Sequence, residues 1–114
     1  MAIGKVTTLT TTAASIVVPG ANCNTVVIQN NSAVDIRISI DGGASFTYPY
    51  NQTKTGTNPT VNNGILLKAS GGTYTLSNIS QIGYNRPIIA IATSGTANLI
   101  DIVTDGYNST FPTA

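Results

Sequence analysis

Apolar and polar positions alternate most cleanly in "VDIRISI", where Val34, Ile36, Ile38 and Ile40 fall on one side and Asp35, Arg37 and Ser39 on the other. This period of two predicts a strand with one buried and one wet face. The preceding "TVVIQ" is expected to pair with it across Asn30, Asn31 and Ser32, residues that tolerate the positive φ of a tight hairpin. Asp41, Gly42 and Gly43 then end the second strand. Another hairpin is expected in "RPIIAIATSGTANLIDIVTDG", turning at Ser94-Gly95.

The strands of that second hairpin are apolar on both faces. Ile88 opposes Ile89 and Ile91, while Leu99 and Val103 oppose Ile100 and Ile102. Strands of this kind are covered on both sides, yet only one sheet face looks into a sandwich core. Either residues 44–63 fold back over the outside, or another subunit covers it. Exposed apolar patches mark interfaces, so the subunit is the expected cover, and Ile89, Ile91, Leu99 and Val103 become interaction candidates.

Elsewhere the chain offers "KVTTLTTT" and "ASIVV", the latter closed by Pro19-Gly20, as one or two strands. Residues 1–12 read equally as an extended N-terminal arm or an edge strand, because their apolar content is thin. "GILLKASGGTYTL" predicts a short strand, a turn at Gly71-Gly72 and a further strand with Tyr74 and Leu76 on one face. Residues 44–63, "ASFTYPYNQTKTGTNPTVNN", carry no core pattern and exceed the usual loop length of about 12 to 15 residues, which marks them as a functional loop or ribbon. Phe46, Tyr48 and Tyr50 alternate within it and are the aromatic interaction candidates; Pro49 between them suits an edge or an extended arm.

Helix signals are nearly absent, and short runs of Ile, Val and Thr recur between Gly, Pro and Asn. The expected fold is all-β: a single-domain antiparallel β-sandwich over residues 13–114, jelly-roll or immunoglobulin-like, with about seven or eight strands. A chain of 114 residues is long enough to bury a core without staples.

Composition narrows the chemistry. Charged residues are 8% of the chain, against about 25% in typical soluble proteins, and Thr, Asn, Ser and Gly take their place. The five Lys and Arg are scattered and the net charge is +1, so neither nucleic acid nor an anionic membrane is an expected partner. Weak self-repulsion instead points to assembly.

There is no His and no Glu, which removes the usual Ser, Cys and zinc arrangements. Cys23 stands alone, without a disulfide or metal partner. Asp41 and Asp105 each precede Gly and read as turn formers; calcium on these two is the nearest metal alternative, without the D-x-D-x-D-G run that would hold it. No enzyme, cofactor or metal is therefore expected. Sugar stacking on Tyr48, Tyr50, Tyr84 and Tyr107 remains a rival use of the surface. No secretory signal or membrane span is visible, so synthesis in a cytoplasm is expected.

In order along the chain, "VVIQNNSAVDIRISIDGG", "NGILLKASGGTYTL" and "PIIAIATSGTANLIDIV" together resemble small β-sandwich virion proteins of tailed bacteriophages, of the capsid decoration (cement) or head-fibre-base type. The resemblance spans roughly residues 24–103; the 44–63 segment is longer than such proteins often have after the "DGG" turn. It implies a non-enzymatic homotrimer on the outer capsid surface, bound to the major capsid protein and stabilising the head. A host-glycan-binding or receptor-binding module and a tail or neck connector are the alternatives. Either the 1–12 segment or the 44–63 ribbon would add edge strands to a neighbour by β-augmentation.

Overall fold

The computed structural model describes residues 2–17, 25–40, 45–48, 52–55, 57–77 and 87–105, with 45–48 and 52–55 described through their backbone pairing. Ten strands follow one another: β1 (Ala2–Leu9), β2 (Ala14–Val17), β3 (Thr25–Asn30), β4 (Ile36–Ser39), β5 (Ser45–Tyr48), β6 (Gln52–Thr55), β7 (Ile65–Leu67), β8 (Gly72–Leu76), β9 (Ile88–Ala92) and β10 (Ala97–Asp105). Eight of them form two four-stranded antiparallel sheets, ordered β1-β10-β3-β8 and β2-β9-β4-β7, and β5 pairs with β6 as a separate ribbon.

This order is a jelly roll. β1 pairs with β10, β2 with β9, β3 with β8 and β4 with β7, as in one long hairpin whose tip lies between β4 and β7. The doubled ribbon is wound so that β10 meets β3 and β9 meets β4. An immunoglobulin-like sandwich would group its strands differently.

The winding corrects two of the expected pairings. β3 and β4 lie in different sheets, as do β9 and β10, so neither pair is a hairpin. Asn30–Ser32 and Ser94-Gly95 belong to crossings between sheets. The reason is visible at Asn30, which is fully buried at the inward end of β3. Its amide nitrogen donates to Val34 O (2.8 Å) and Leu67 O (3.0 Å), and its Oδ1 accepts from Ser32 N (3.1 Å) and Ser32 Oγ (2.6 Å). An Asn so fully bonded holds a corner in place of a tight turn.

Neighbouring crossings are tied to the same corner. Ser70 N donates to Ser32 O, Gly71 N to Asn30 O, and Thr93 N and Oγ1 both to Asp35 O. Gly72 sits so close to Lys68 that a Cβ there would fall 2.4 Å from its backbone nitrogen. Only glycine fits where β7 crosses to β8.

The core lies between the sheets. Val26, Ile28, Ile100 and Ile102 face Ile36, Ile38, Ile88 and Leu67, with Tyr74 and Leu76 packed at the margin. Within the second sheet, large and small residues pair across strands, Ile36 with Ala92 and Ile38 with Ala90. That alternation of large and small lets the facing side chains interdigitate. Residues 2–9 are an edge strand paired along β10, with a shift in register between Thr7 and Leu9.

Candidate interaction surfaces

The two sheets treat their outward faces differently. On β9 the outward residues Ile89 and Ile91 keep only 7% and 5% of their surface exposed, within a single chain. The expectation that a subunit covers them is corrected: these two have almost no surface left for a partner. Their register neighbours on β4 are Ser39 and Arg37, and these side chains hold the segment that precedes β7. Arg37 Nε donates to Val61 O (3.2 Å), Arg37 Nη1 to Gly64 O (2.9 Å), and Ser39 Oγ to Thr57 O (2.6 Å). Residues 57–64 therefore lie along the outside of this sheet, gripped through their carbonyls by a guanidinium whose fork suits such contacts.

A cleft of about 240 Å³ opens beside this segment, lined by Ile38, Ile40, Pro59 and Ile65 together with Ser39, Thr57, Asn58, Asn63 and Gly64. Its lining is uncharged, with hydrogen-bonding side chains along an apolar wall. Sequence reasoning did not find it, because its parts come from segments on either side of the inserted ribbon.

On the other sheet the outward face stays open. Val6, Leu99 and Val103 keep 56%, 50% and 39% of their surface exposed, and half-buried Val27 lies beside Val103 in register. Asp101 stands among them opposite Val6, its Oδ2 accepting from Asn31 Nδ2 at 2.5 Å; that same amide reaches Gln29 Oε1 at 3.1 Å. Gln29 Nε2 in turn reaches Thr73 Oγ1 at 3.4 Å. The face is thus an apolar cluster crossed by a polar row whose carboxylate is already bonded. Leu99 and Val103 share this face, with Asp101 between them along β10 and Val6 of β1 opposite Asp101.

The remaining candidates divide by position. Phe46 and Tyr48 lie in β5, in register with Lys54 and Gln52 of β6, while the alternate pairs are Ser45 with Thr55 and Thr47 with Thr53. Tyr50, Tyr84, Tyr107, Cys23 and Asp41 lie outside the described residues. Asp105 ends β10, exposed. Among the described residues no three of His, Cys, Asp and Glu gather where they could hold a metal.

Asp35 is the carboxylate whose role the sequence did not reveal. Its Oδ1 accepts from Ala69 N at 2.8 Å, and its Oδ2 meets Lys68 Nζ at 3.3 Å. The Ala69 amide, and then the Lys68 ammonium, hold its pKa below the ordinary carboxylate value. This arrangement ties a crossing and offers no acid or base to a substrate.

Comparison with known proteins gives no match: no family model, no curated protein and no solved structure is similar to the chain.

Proposed function

We propose that the protein is a non-enzymatic virion structural protein, a capsid decoration or cement protein that binds the outer capsid surface and stabilises the head. The observation that carries this reading is the open outer face of the β1-β10-β3-β8 sheet, where Val6, Leu99 and Val103 stand exposed on a chain with few charges. A nearly neutral, partly apolar plane suits a broad protein surface better than a small charged ligand. Removing the remaining exposure of these three side chains is worth about 1 kcal/mol each. A contact that modest becomes firm when several copies engage together, so the reading includes association with copies of itself and with the major capsid protein. The resemblance in strand pattern and the low charge support the same role, with the virion surface as its place.

The experiment is to find the chain in a reconstruction of the virion whose genome encodes it. Density for a small β-sandwich on the outer shell is expected. A ring at the tail or neck, or absence from the virion, overturns the reading.

One observation favours a second reading, a host-glycan-binding module. The cleft at Ser39, Thr57, Asn58 and Asn63 sets hydroxyls and amides against Ile40, Pro59 and Ile65, the mixture that a sugar ring uses. A glycan array probed with the purified chain separates the two: no glycan retained supports the cement reading, and saturable binding lost in Asn63→Ala supports the module.

A further inference from the structure

We propose that the outer edge of β1 is a self-association edge, where a second copy adds its own β1 antiparallel about a two-fold axis at Val6. The inference concerns copies of this chain and does not depend on binding to a capsid.

An edge strand displays a row of backbone donors and acceptors that templates pairing, and natural sheets blunt such edges by shortness, bulges, charges or proline. Three of the four sandwich edges here are blunted. β7 has three residues; β2 has four and is broken by a register shift between Ser15 and Val17; β8 has five and starts at Gly72, tucked against Lys68. β1 is the longest of the four: it runs for eight residues, "AIGKVTTL", without proline, with Lys5 as its one charge and its register shift confined to the Thr7–Leu9 end, so that Ala2 to Thr7 pair without interruption. Among the described strands nothing pairs with its outer side.

The occupant follows from what the edge would place opposite itself. In a continuous antiparallel sheet, paired residues share a face, so a two-fold axis must pass through a residue of β1. An axis at Lys5 sets Lys5 against its mate, and like charges directly opposite are unfavourable. An axis at Val6 sets Val6 against Val6, Lys5 against Thr7 and Gly4 against Thr8. Val6 is the most exposed large apolar residue described, and it stands opposite Asp101 on the face that Leu99 and Val103 share. The Val6 axis therefore joins two open apolar clusters into one stripe across an eight-stranded sheet, ordered β8-β3-β10-β1-β1-β10-β3-β8. A second copy satisfies the backbone edge, and the outer face itself stays open.

The association is isologous, so it closes at two copies. The three-fold association that the resemblance implies would have to use a different surface, and mass measurement tells them apart. Light scattering coupled to size exclusion should give the full chain as a dimer, or as a larger species containing an even number of copies. V6K, a change at an exposed position, should halve that mass while leaving the β-sheet circular dichroism unchanged, with any fall in thermal midpoint limited to what loss of association accounts for. V6C in a Cys23→Ser background should form a disulfide-linked dimer under mild oxidation, whereas T73C on the opposite edge in the same background should not. A wild-type monomer at high concentration, a trimer whose mass V6K leaves unchanged, or equal cross-linking of V6C and T73C overturns the proposal.

Discussion

Strands β9 and β10 begin from the same pattern, apolar on both faces, and finish with opposite outward surfaces. In β2-β9-β4-β7 the outward Ile89 and Ile91 are buried, and the carbonyls of residues 57–64 are fastened alongside by Arg37 and Ser39. In β1-β10-β3-β8 the outward Val6, Leu99 and Val103 remain exposed, with only a side-chain row through Asp101, Gln29 and Thr73 crossing them. The difference shows that an apolar outward residue is not in itself an interface. What decides is whether the chain itself conceals it, and on the concealed side two polar side chains, Arg37 and Ser39, also hold a segment with no apolar pattern.

The comparison can be broken most sharply at Ile91. Ile91→Ala should destabilise by about 2 to 4 kcal/mol, as for a core residue, measured by guanidinium unfolding of the purified chain; a change within the range of surface substitutions would mean that the outward face is not truly covered. Gly72→Ala probes the crossing that joins the sheets. With the Lys68 backbone in the way of any Cβ, it should cost about 1 to 3 kcal/mol, seen as a lower denaturant midpoint with an unchanged slope.

Arg37→Met removes two donors while keeping an apolar stem, and should cost about 1 kcal/mol. Amide exchange should then quicken within residues 57–64 and not along β3 or β10. Leu99→Ala on the open face should shift stability by no more than about 0.5 kcal/mol; a loss as large as that at Ile91 would show that this face too is covered.

Acid should act at the crossings. The folded-state pKa of Asp35 is lowered, by the Ala69 amide first and the Lys68 ammonium next. Its contribution is therefore present above the unfolded carboxylate pKa of about 3.9 and is lost as pH falls through the folded value. Asp35→Asn should be less stable than the parent at neutral pH, with the gap closing below about pH 4. A gap that persists unchanged into acid would remove the carboxylate from the explanation.

Local alternation made the strands legible, and β4 and β10 fall where the Ile spacing of residues 34–40 and 99–103 predicts. Pairing was not legible in the same way. Asn30, Asn31 and Ser32 have the chemistry of a hairpin turn, but the Asn30 side chain is occupied by Val34 O, Leu67 O and Ser32. The Leu67 contact comes from far along the chain and cannot be read from a short window. The open face was half legible: Leu99 and Val103 show outward by alternation, whereas Val6 sits in a Thr-rich stretch whose apolar content is too thin to signal a surface. Ile89 and Ile91 misled because their burial arises within one chain, from tertiary packing that the spacing of apolar residues in a short window does not announce.

The nested winding also sets an order of events in time. Within the sandwich the innermost pairing, Ile38 with Ile65, closes a much shorter stretch of chain than Ala2 with Asp105, which closes nearly all of it. Closure entropy rises with loop length, and topologies dominated by distant pairings fold slowly. On a ribosome, β1 must wait until β10 is made before it finds its place beside it. Until then its proline-free edge, with Lys5 as its one charge, is open to strands of other nascent chains, a hazard for slow β topologies at high expression. A protein synthesised in many copies at once with this topology would gain from slow translation or a holding chaperone over its first ten residues.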